Sequence, residues 1–179
     1  MQTSPIFEMQ SNRLRFRRLR ADDFSLVAPI LQDAQTMYAW EHGFSHDEVI
    51  DWIADMLRRY HEDGFGYFAV LDRQTGALAA LAGPLTEQLD DGQTALGLGC
   101  IVRRDLWQQG YGTECVQATL RYAFERLNAA QVVALIRPNN TASLLLAKKC
   151  GLQPIGQTVK HYHGSDMPHL ILAIERPNA

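Results

Sequence analysis

A chain of 179 residues with 46% hydrophobic content is long enough to enclose a sizeable core and suits one domain. Its formal net charge of −3 argues against a general nucleic-acid binder, whose affinity comes from a cationic face set against phosphates. No apolar run approaches the roughly 18 residues that a membrane span needs, and residues 1–12 lack the apolar core of a secretory signal.

In chain order, residues 1–11 read as a loose lead-in. Leu14, Phe16 and Leu19, set against Arg13, Arg15 and Arg17, predict a strand with one wet face. Those arginines, with Arg18 and Arg20, are open to two readings, a phosphate patch or a solvated strand face, and the second is the simpler. Asp22 or Asp23 is placed to cap a helix with Phe24, Val27 and Leu31 on one side, which Pro29 must kink or end. The connection Met37-Tyr38-Ala39-Trp40-Glu41-His42-Gly43 is rich in aromatic and ionisable groups. Ser45-x-x-Glu48 then forms a capping box ahead of Val49, Trp52, Ile53, Met56, Leu57 and Tyr60 at helical spacing, with Gly64 as the stop.

Phe65 to Leu71 reads as a strand, Asp72 to Gly76 as a hairpin turn and Ala77 to Ala82 as the partner strand. Residues 83–93 read as a loop whose Glu87, Asp90 and Asp91 either attract a cationic amine or, more simply, sit in solvent. Ala95 to Val102, interrupted by Gly97 and Gly99, completes an antiparallel meander. It runs into the turn Trp107-Gln108-Gln109-Gly110-Tyr111-Gly112-Thr113-Glu114, after which Val116, Leu120, Ala123, Phe124 and Leu127 recur at helical spacing.

That turn joins a strand to a helix through glycines. The glycines remove Cβ atoms where a ligand must approach, and the unpaired N–H groups of the first helical turn lie at the positive end of its dipole. An anion such as a phosphate belongs there, although a lone Gly-x-Gly also suits a tight connection with no ligand. Cys115 stands where a dinucleotide fingerprint needs its third glycine, and Ala130 to Val133 stands where it needs an acidic residue. No Gly-Lys-Ser/Thr is present, so a phosphate loop of that type is excluded.

A second apolar run, Val132 to Ile136, leads to Asn140-Thr141-Ala142-Ser143, a short apolar helix, and Lys149-Cys150-Gly151-Leu152. Pro154 to Tyr162 and His169 to Glu175 read as two final strands. His161, His163 and His169 invite a metal, but no His-Glu-x-x-His helix and no cysteine pair accompany them, so none is expected. Cys100, Cys115 and Cys150 form no Cys-x-x-Cys pair, which reads as a reduced, cytoplasmic protein.

Together these residues resemble the GNAT acyl-CoA N-acyltransferases, most closely the ribosomal-protein N-acetyltransferase (RimJ/RimL-like) branch. The family's pyrophosphate loop, Arg/Gln-x-x-Gly-x-Gly/Ala, is matched by Trp107-x-x-Gly110-x-Gly112, with Trp in the first place. Its second signature is matched by Asn140-x-x-Ser143 and Lys149-Cys150-Gly151-Leu152. Leu152 stands where relatives have phenylalanine, and Arg104 where they have proline. The resemblance implies one domain over residues 1–179 with the GNAT fold, an α+β arrangement. Its mixed, mainly antiparallel sheet would have about seven strands, flanked by about four helices.

The resemblance also implies an acetyl-CoA-dependent N-acetyltransferase, without a metal, acting on a protein N-terminal α-amine or a small-molecule amine. The amine would attack directly in a ternary complex. Acetyl-CoA would rest its pyrophosphate on the turn, through Trp107, Gln108, Gln109, Gly110, Tyr111, Gly112 and Thr113. Its pantetheine arm would run along Ile101 and Val102, where Val132 to Ile136 splays away. Ser143 would contact the cofactor and protonate the leaving thiolate, and Asn140 would orient the pantetheine or the loop, cap its helix, or both. Tyr38, Trp40, Glu41 and His42 would form a wall of the acceptor site.

Relatives often carry a glutamate on the strand before the glycine turn, where this chain has Leu96-Gly97-Leu98-Gly99. Glu41, His42 or ordered water is then left to serve as base. An α-amine of pKa about 7.8 is about a tenth neutral at pH 7 and a lysine amine of about 10.4 far less, so this lack favours an α-amine or a similarly weak amine. A non-catalytic GNAT-fold module that binds CoA or a partner protein is the alternative, and both a monomer and a homodimer remain open.

Overall fold

The computed structural model describes residues 7–162 and 164–177. Among these, the strands are β1 (Phe7–Gln10), β2 (Leu14–Arg18), β3 (Phe68–Asp72), β4 (Leu78–Gln88), β5 (Thr94–Val102), β6 (Gln131–Ile136), β7 (Gln153–Tyr162) and β8 (Ser165–Glu175). The helices are α1 (Phe24–Leu31), α2 (His46–Glu62), α3 (Tyr111–Glu125) and α4 (Thr141–Lys149). The strands form one eight-stranded sheet in the order β1-β2-β3-β4-β5-β6-β8-β7. Every neighbouring pair is antiparallel except β5 and β6, which are parallel.

This is the expected mixed α+β architecture with one more strand. The extra strand, β1, falls within the expected lead-in; residues 1–6 lie outside the described residues. Its sequence Phe-Glu-Met-Gln alternates, and Phe7 and Met9 pack on the main core, so the period-two signal of an edge strand was present but short.

α1 runs through Pro29 to Leu31, since a proline this near the end of a short helix interrupts little of its hydrogen bonding. Asp23 precedes the helix without a side-chain cap. Its carboxylate instead accepts from the Arg17 guanidinium at 2.6 and 2.8 Å and from Arg20 N at 2.8 Å. Arg13 pairs with Glu114 and Arg18 with Glu8, so the arginine-rich strand is tied down by carboxylates rather than presented to phosphate. α2 has the expected capping box: Ser45 Oγ accepts from Glu48 N at 3.2 Å and Ser45 N donates to Glu48 Oε2 at 2.7 Å. Val49, Ile53, Met56 and Tyr60 form its buried stripe.

β4 continues to Gln88, so residues 83–88, expected in a loop, belong to the sheet. The β3 ladder ends at Ala82 while the β5 ladder continues through Pro84 opposite Leu98. Proline is tolerated there because the strand has lost its ladder on one side.

The parallel pair registers at one position, Gly97 opposite Val133, and beyond it β5 and β6 part. The two larger hydrophobic clusters divide the elements between them. One gathers α1, α2 and β2 to β4, and the other gathers α4, β6 and Leu172. α3 joins them, giving Cys115, Ala118 and Tyr122 to the first and Val116, Leu120 and Ala123 to the second.

Candidate active site

The gap between β5 and β6 is closed at one end by the first turns of α3 and α4. β5 leads through a short 3₁₀ turn, Arg104–Leu106, to an extended Trp107. Gln108 (φ 60°) and Gly110 (φ 82°) then take left-handed conformations that curl the chain tightly into α3. Gly110 is glycine because most side chains resist that conformation. The first helical bond runs from Glu114 N to Gly110 O at 3.1 Å. The N–H groups of Tyr111, Gly112 and Thr113 therefore precede the internal ladder and face the helix's positive end, as an anion site requires.

Glu114 sits in this first turn, where its charge would repel a phosphate. Partial burial opposes that charge, yet hydrogen bonds from Arg13 N, Ser11 Oγ and Arg13 Nε, each 2.7 Å, hold its carboxyl below the usual range. The arginine thus compensates this acidic group. The Trp107 indole closes the turn from the other side, donating to Val102 O at 2.8 Å.

Two cavities open from the gap. The first, of about 370 Å³, is lined by Ile101, Val102, Trp107, Gln108, Gly110 and Gly112. Thr113, Asn140 and Ser143 line it as well, together with Thr36, Tyr38 and Lys149. Gln109 and Tyr111 point elsewhere. Gln109 Nε2 donates to Asp105 O at 2.8 Å, and the Tyr111 ring lies 4.1 Å beneath the Arg13 guanidinium with its hydroxyl on Asp72. Arg104, which stands where relatives have proline, faces Asp33 at 3.3 Å.

The second cavity, of about 360 Å³, is lined by Trp52, Asp55, Arg59, Tyr67, Glu87 and Lys160, among others. The two meet at Ala39, Trp40, Cys100, Asn140, Ser143 and Leu146. Each is large enough for a ligand group, and Ser143 lies at the junction. Asn140 caps α4, its Oδ1 accepting from Ser143 N at 3.2 Å and also from the Tyr38 hydroxyl. Burial raises the Tyr38 pKa, which keeps it a donor.

The acceptor-wall segment divides. Tyr38 and Trp40 reach the cavities, whereas Glu41 and His42 do not line them. Glu41 takes a left-handed backbone (φ 70°) that turns the chain away, and its side chain, 59% exposed, pairs with Arg137 Nη2 at 2.9 Å. His42 Nε2 meets Glu48 Oε1 at 2.9 Å, and this hydrogen bond raises the imidazole pKa. Glu41, expected as a base, lines neither cavity.

A carboxylate does reach the second cavity, from a strand expected to be loop. A Cβ on Gly97 would lie 2.4 Å from Glu87 Cγ, and one on Gly99 would lie 1.9 Å from the Tyr67 hydroxyl. Glu87 and Tyr67 thus fill the two volumes that β5 leaves empty on one face. Glu87 Oε2 accepts from Lys160 Nζ at 2.6 Å, and the Glu87 side chain is 13% exposed. Burial, with the Glu87 charge adding to it, raises the Tyr67 pKa and keeps its hydroxyl protonated. The visible signal was the pair of glycines two apart in a central strand, which marks a close approach by neighbours.

Of the histidines weighed as metal ligands, His161 pairs with Asp166 and His169 Nδ1 lies 2.8 Å from Met167 O. His163 lies outside the described residues. Among the described residues no three His, Cys, Asp or Glu side chains gather as metal ligands would, and no helix is long and apolar enough to cross a membrane.

The sequence profile of the acetyltransferase (GNAT) domain matches residues 13–153. The chain is 22% identical over 150 residues to an uncharacterised N-acetyltransferase, p20, of Bacillus licheniformis, covering 83% of this chain and 83% of that protein. Its fold is shared by a GNAT-family acetyltransferase from Bacillus anthracis, with a TM-score of 0.76, 20% identity, and coverage of 95% and 98% of the two chains. RimL, a ribosomal L7/L12 α-N-protein acetyltransferase solved in complex with coenzyme A, superposes with a TM-score of 0.71 at 16% identity, covering 92% and 95%.

Proposed function

The chain belongs to the GNAT acetyltransferase family, and from that premise we propose that it transfers the acetyl group of acetyl-CoA to a primary amine by direct attack in a ternary complex. The observation that carries this reading is the junction of two cavities at Ser143. One approaches it from the glycine turn and the other from a wall of charged and aromatic side chains.

Acetyl-CoA occupies the first cavity. Its pyrophosphate accepts from the backbone at Gly112 and Thr113, with Lys149 as a nearby cation. Charge-assisted bonds of this kind contribute about 1.5–3 kcal/mol each, so a few suffice to hold it. The pantetheine arm lies in the gap beside Ile101 and Val102, which brings the thioester to the junction. The amine approaches from the second cavity and its lone pair attacks the carbonyl carbon. As the C–S bond breaks, the Ser143 hydroxyl gives the sulfur a proton.

The Trp107 loop, the Asn140-x-x-Ser143 signature and the likeness to RimL support the ribosomal-protein N-acetyltransferase branch, with an N-terminal α-amine as acceptor. A non-catalytic CoA-binding module has no use for the second, charged cavity, which favours the enzyme.

Calorimetric titration with acetyl-CoA, followed by free-thiol release across a panel of peptides and small amines, tests this reading. Saturable binding with amine-dependent thiol release is expected. No binding overturns the assignment of the glycine turn, and binding without release overturns the enzyme reading for that panel.

A further inference from the structure

We propose that Glu87 is the catalytic residue that receives the acceptor amine and takes its proton, reaching from β4 into the place left vacant by Gly97 on β5. The proposal rests on the acetyltransferase reading above. Three geometric facts carry it.

First, the position is built. Gly97 is the residue at which β5 registers with β6, so Glu87, lying over it, sits where the two strands begin to part. Any side chain at position 97 would collide with Glu87, since even a Cβ would lie 2.4 Å from its Cγ. Second, Glu87 and Ser143 line the same cavity. A base on the amine side and a donor on the sulfur side must both face the thioester, and Glu87 and Ser143 both face this cavity.

Third, the partner of Glu87 is exchangeable. A buried carboxylate without a counter-ion is costly, and Lys160 from β7 supplies one at 2.6 Å. The Lys160 side chain is 36% exposed, and its charge rides on a flexible four-carbon stem. An incoming ammonium carries the same charge and can take its place. The other carboxylate lining the cavity, Asp55, is held by Arg59 from its own helix at 2.8 Å.

Proton accounting closes. The incoming ammonium gives one proton to Glu87, which passes it to solvent; the freed nitrogen lone pair then forms the C–N bond, and a second N–H proton passes to Glu87. The C–S bond breaks, the thiolate takes the Ser143 proton, Glu87 releases its proton to solvent and Ser143 regains one from solvent.

Besides Lys160, the titratable or charged groups around Glu87 are Tyr67 ahead of β3, Asp55 and Arg59 of α2, Cys100 of β5, Arg137 after β6, His161 and Tyr162 of β7, and His169 of β8. His169 is the competing source of an acid limb in activity. Burial lowers its pKa.

The test compares wild type, E87Q and G97A with the panel amine that wild type acetylates fastest, reading acetyl-CoA affinity by calorimetry and kcat/KM against pH. E87Q keeps the shape and removes the base; G97A keeps the carboxylate and displaces it. We expect acetyl-CoA affinity within about twofold of wild type in both, which also reports an intact fold. Removing a general base costs about 100-fold or more, so E87Q should lose that much kcat/KM together with the acid limb. G97A should lose at least about tenfold through the displaced carboxylate. An E87Q enzyme within about threefold of wild type and with its acid limb intact overturns the role of Glu87. A wild-type protein that binds no acetyl-CoA, or acetylates no amine, overturns the acetyltransferase reading and this role with it.

Discussion

The hydroxyl of Tyr38 donates to the side-chain oxygen of Asn140, a residue 102 positions away, and that same oxygen caps the helix carrying Ser143. A loop that also contributes Trp40 to the cavity junction therefore holds the first turn of α4 in place.

Tyr38→Phe removes this bond while keeping the ring against Trp107, 6.3 Å away. A hydrogen bond of this type contributes about 1 kcal/mol. Thermal unfolding should show a loss of that size. Turnover should fall about fivefold, the equivalent of the same energy, as the Ser143 turn loosens. Unchanged stability and turnover would show that the cap holds without Tyr38.

Ser143→Ala should bind acetyl-CoA as wild type does and release thiol about 100-fold more slowly, the contribution of a positioned proton donor. Single-turnover thiol release separates this loss from any change in binding. Full activity in this variant would remove the donor role.

Gly112→Val puts a branched side chain where even a Cβ lies 3.1 Å from Leu146 Cδ2 and 3.6 Å from Val102 Cγ2. The methyl groups must project into the first cavity or force α3 from α4. Acetyl-CoA binding measured by calorimetry should fall below detection. Gly110→Ala should instead act on stability, costing about 1–2 kcal/mol because its φ of 82° is left-handed.

Arg13→Ala leaves the Glu114 charge uncompensated in the first turn of α3. Acetyl-CoA affinity should drop and become more sensitive to salt than in wild type. An affinity equal to wild type would show that Glu114 does not oppose the cofactor.

Glu48 contributes a pH-dependent part of the stability. Its backbone hydrogen bond from Ser45, then the His42 contact, lower its pKa from 4.5 to about 2. The folded value lies below the unfolded one, so this contribution is complete above about pH 4.5 and is lost as pH falls towards 2. Denaturant unfolding at stepped pH should show Glu48→Gln losing less stability than wild type over that window. Parallel curves would exclude Glu48 as a source of acid sensitivity.

The sequence by itself determined what depends on neighbours along the chain. The Ser45 capping box, the apolar stripe of α2, the left-handed Gly110 and the strand, turn and helix around it follow from local periodicity and backbone sterics. The membership shown by residues 13–153 rests on motifs of that local kind. Tertiary structure decided which side chains share a cavity. Trp40 and Glu41 are adjacent in sequence, yet Trp40 lines the cavity junction while the exposed Glu41 side chain, on a left-handed backbone, pairs with Arg137. Glu87 lies in a stretch whose proline and acidic residues suggest a loop, and only the register of β4 against β5 carries it over Gly97. A shift of one residue in that register would reverse every side chain on the strand. The identity of the cavity's carboxylate therefore belongs to the pairing of distant strands, which no local pattern in either strand specifies.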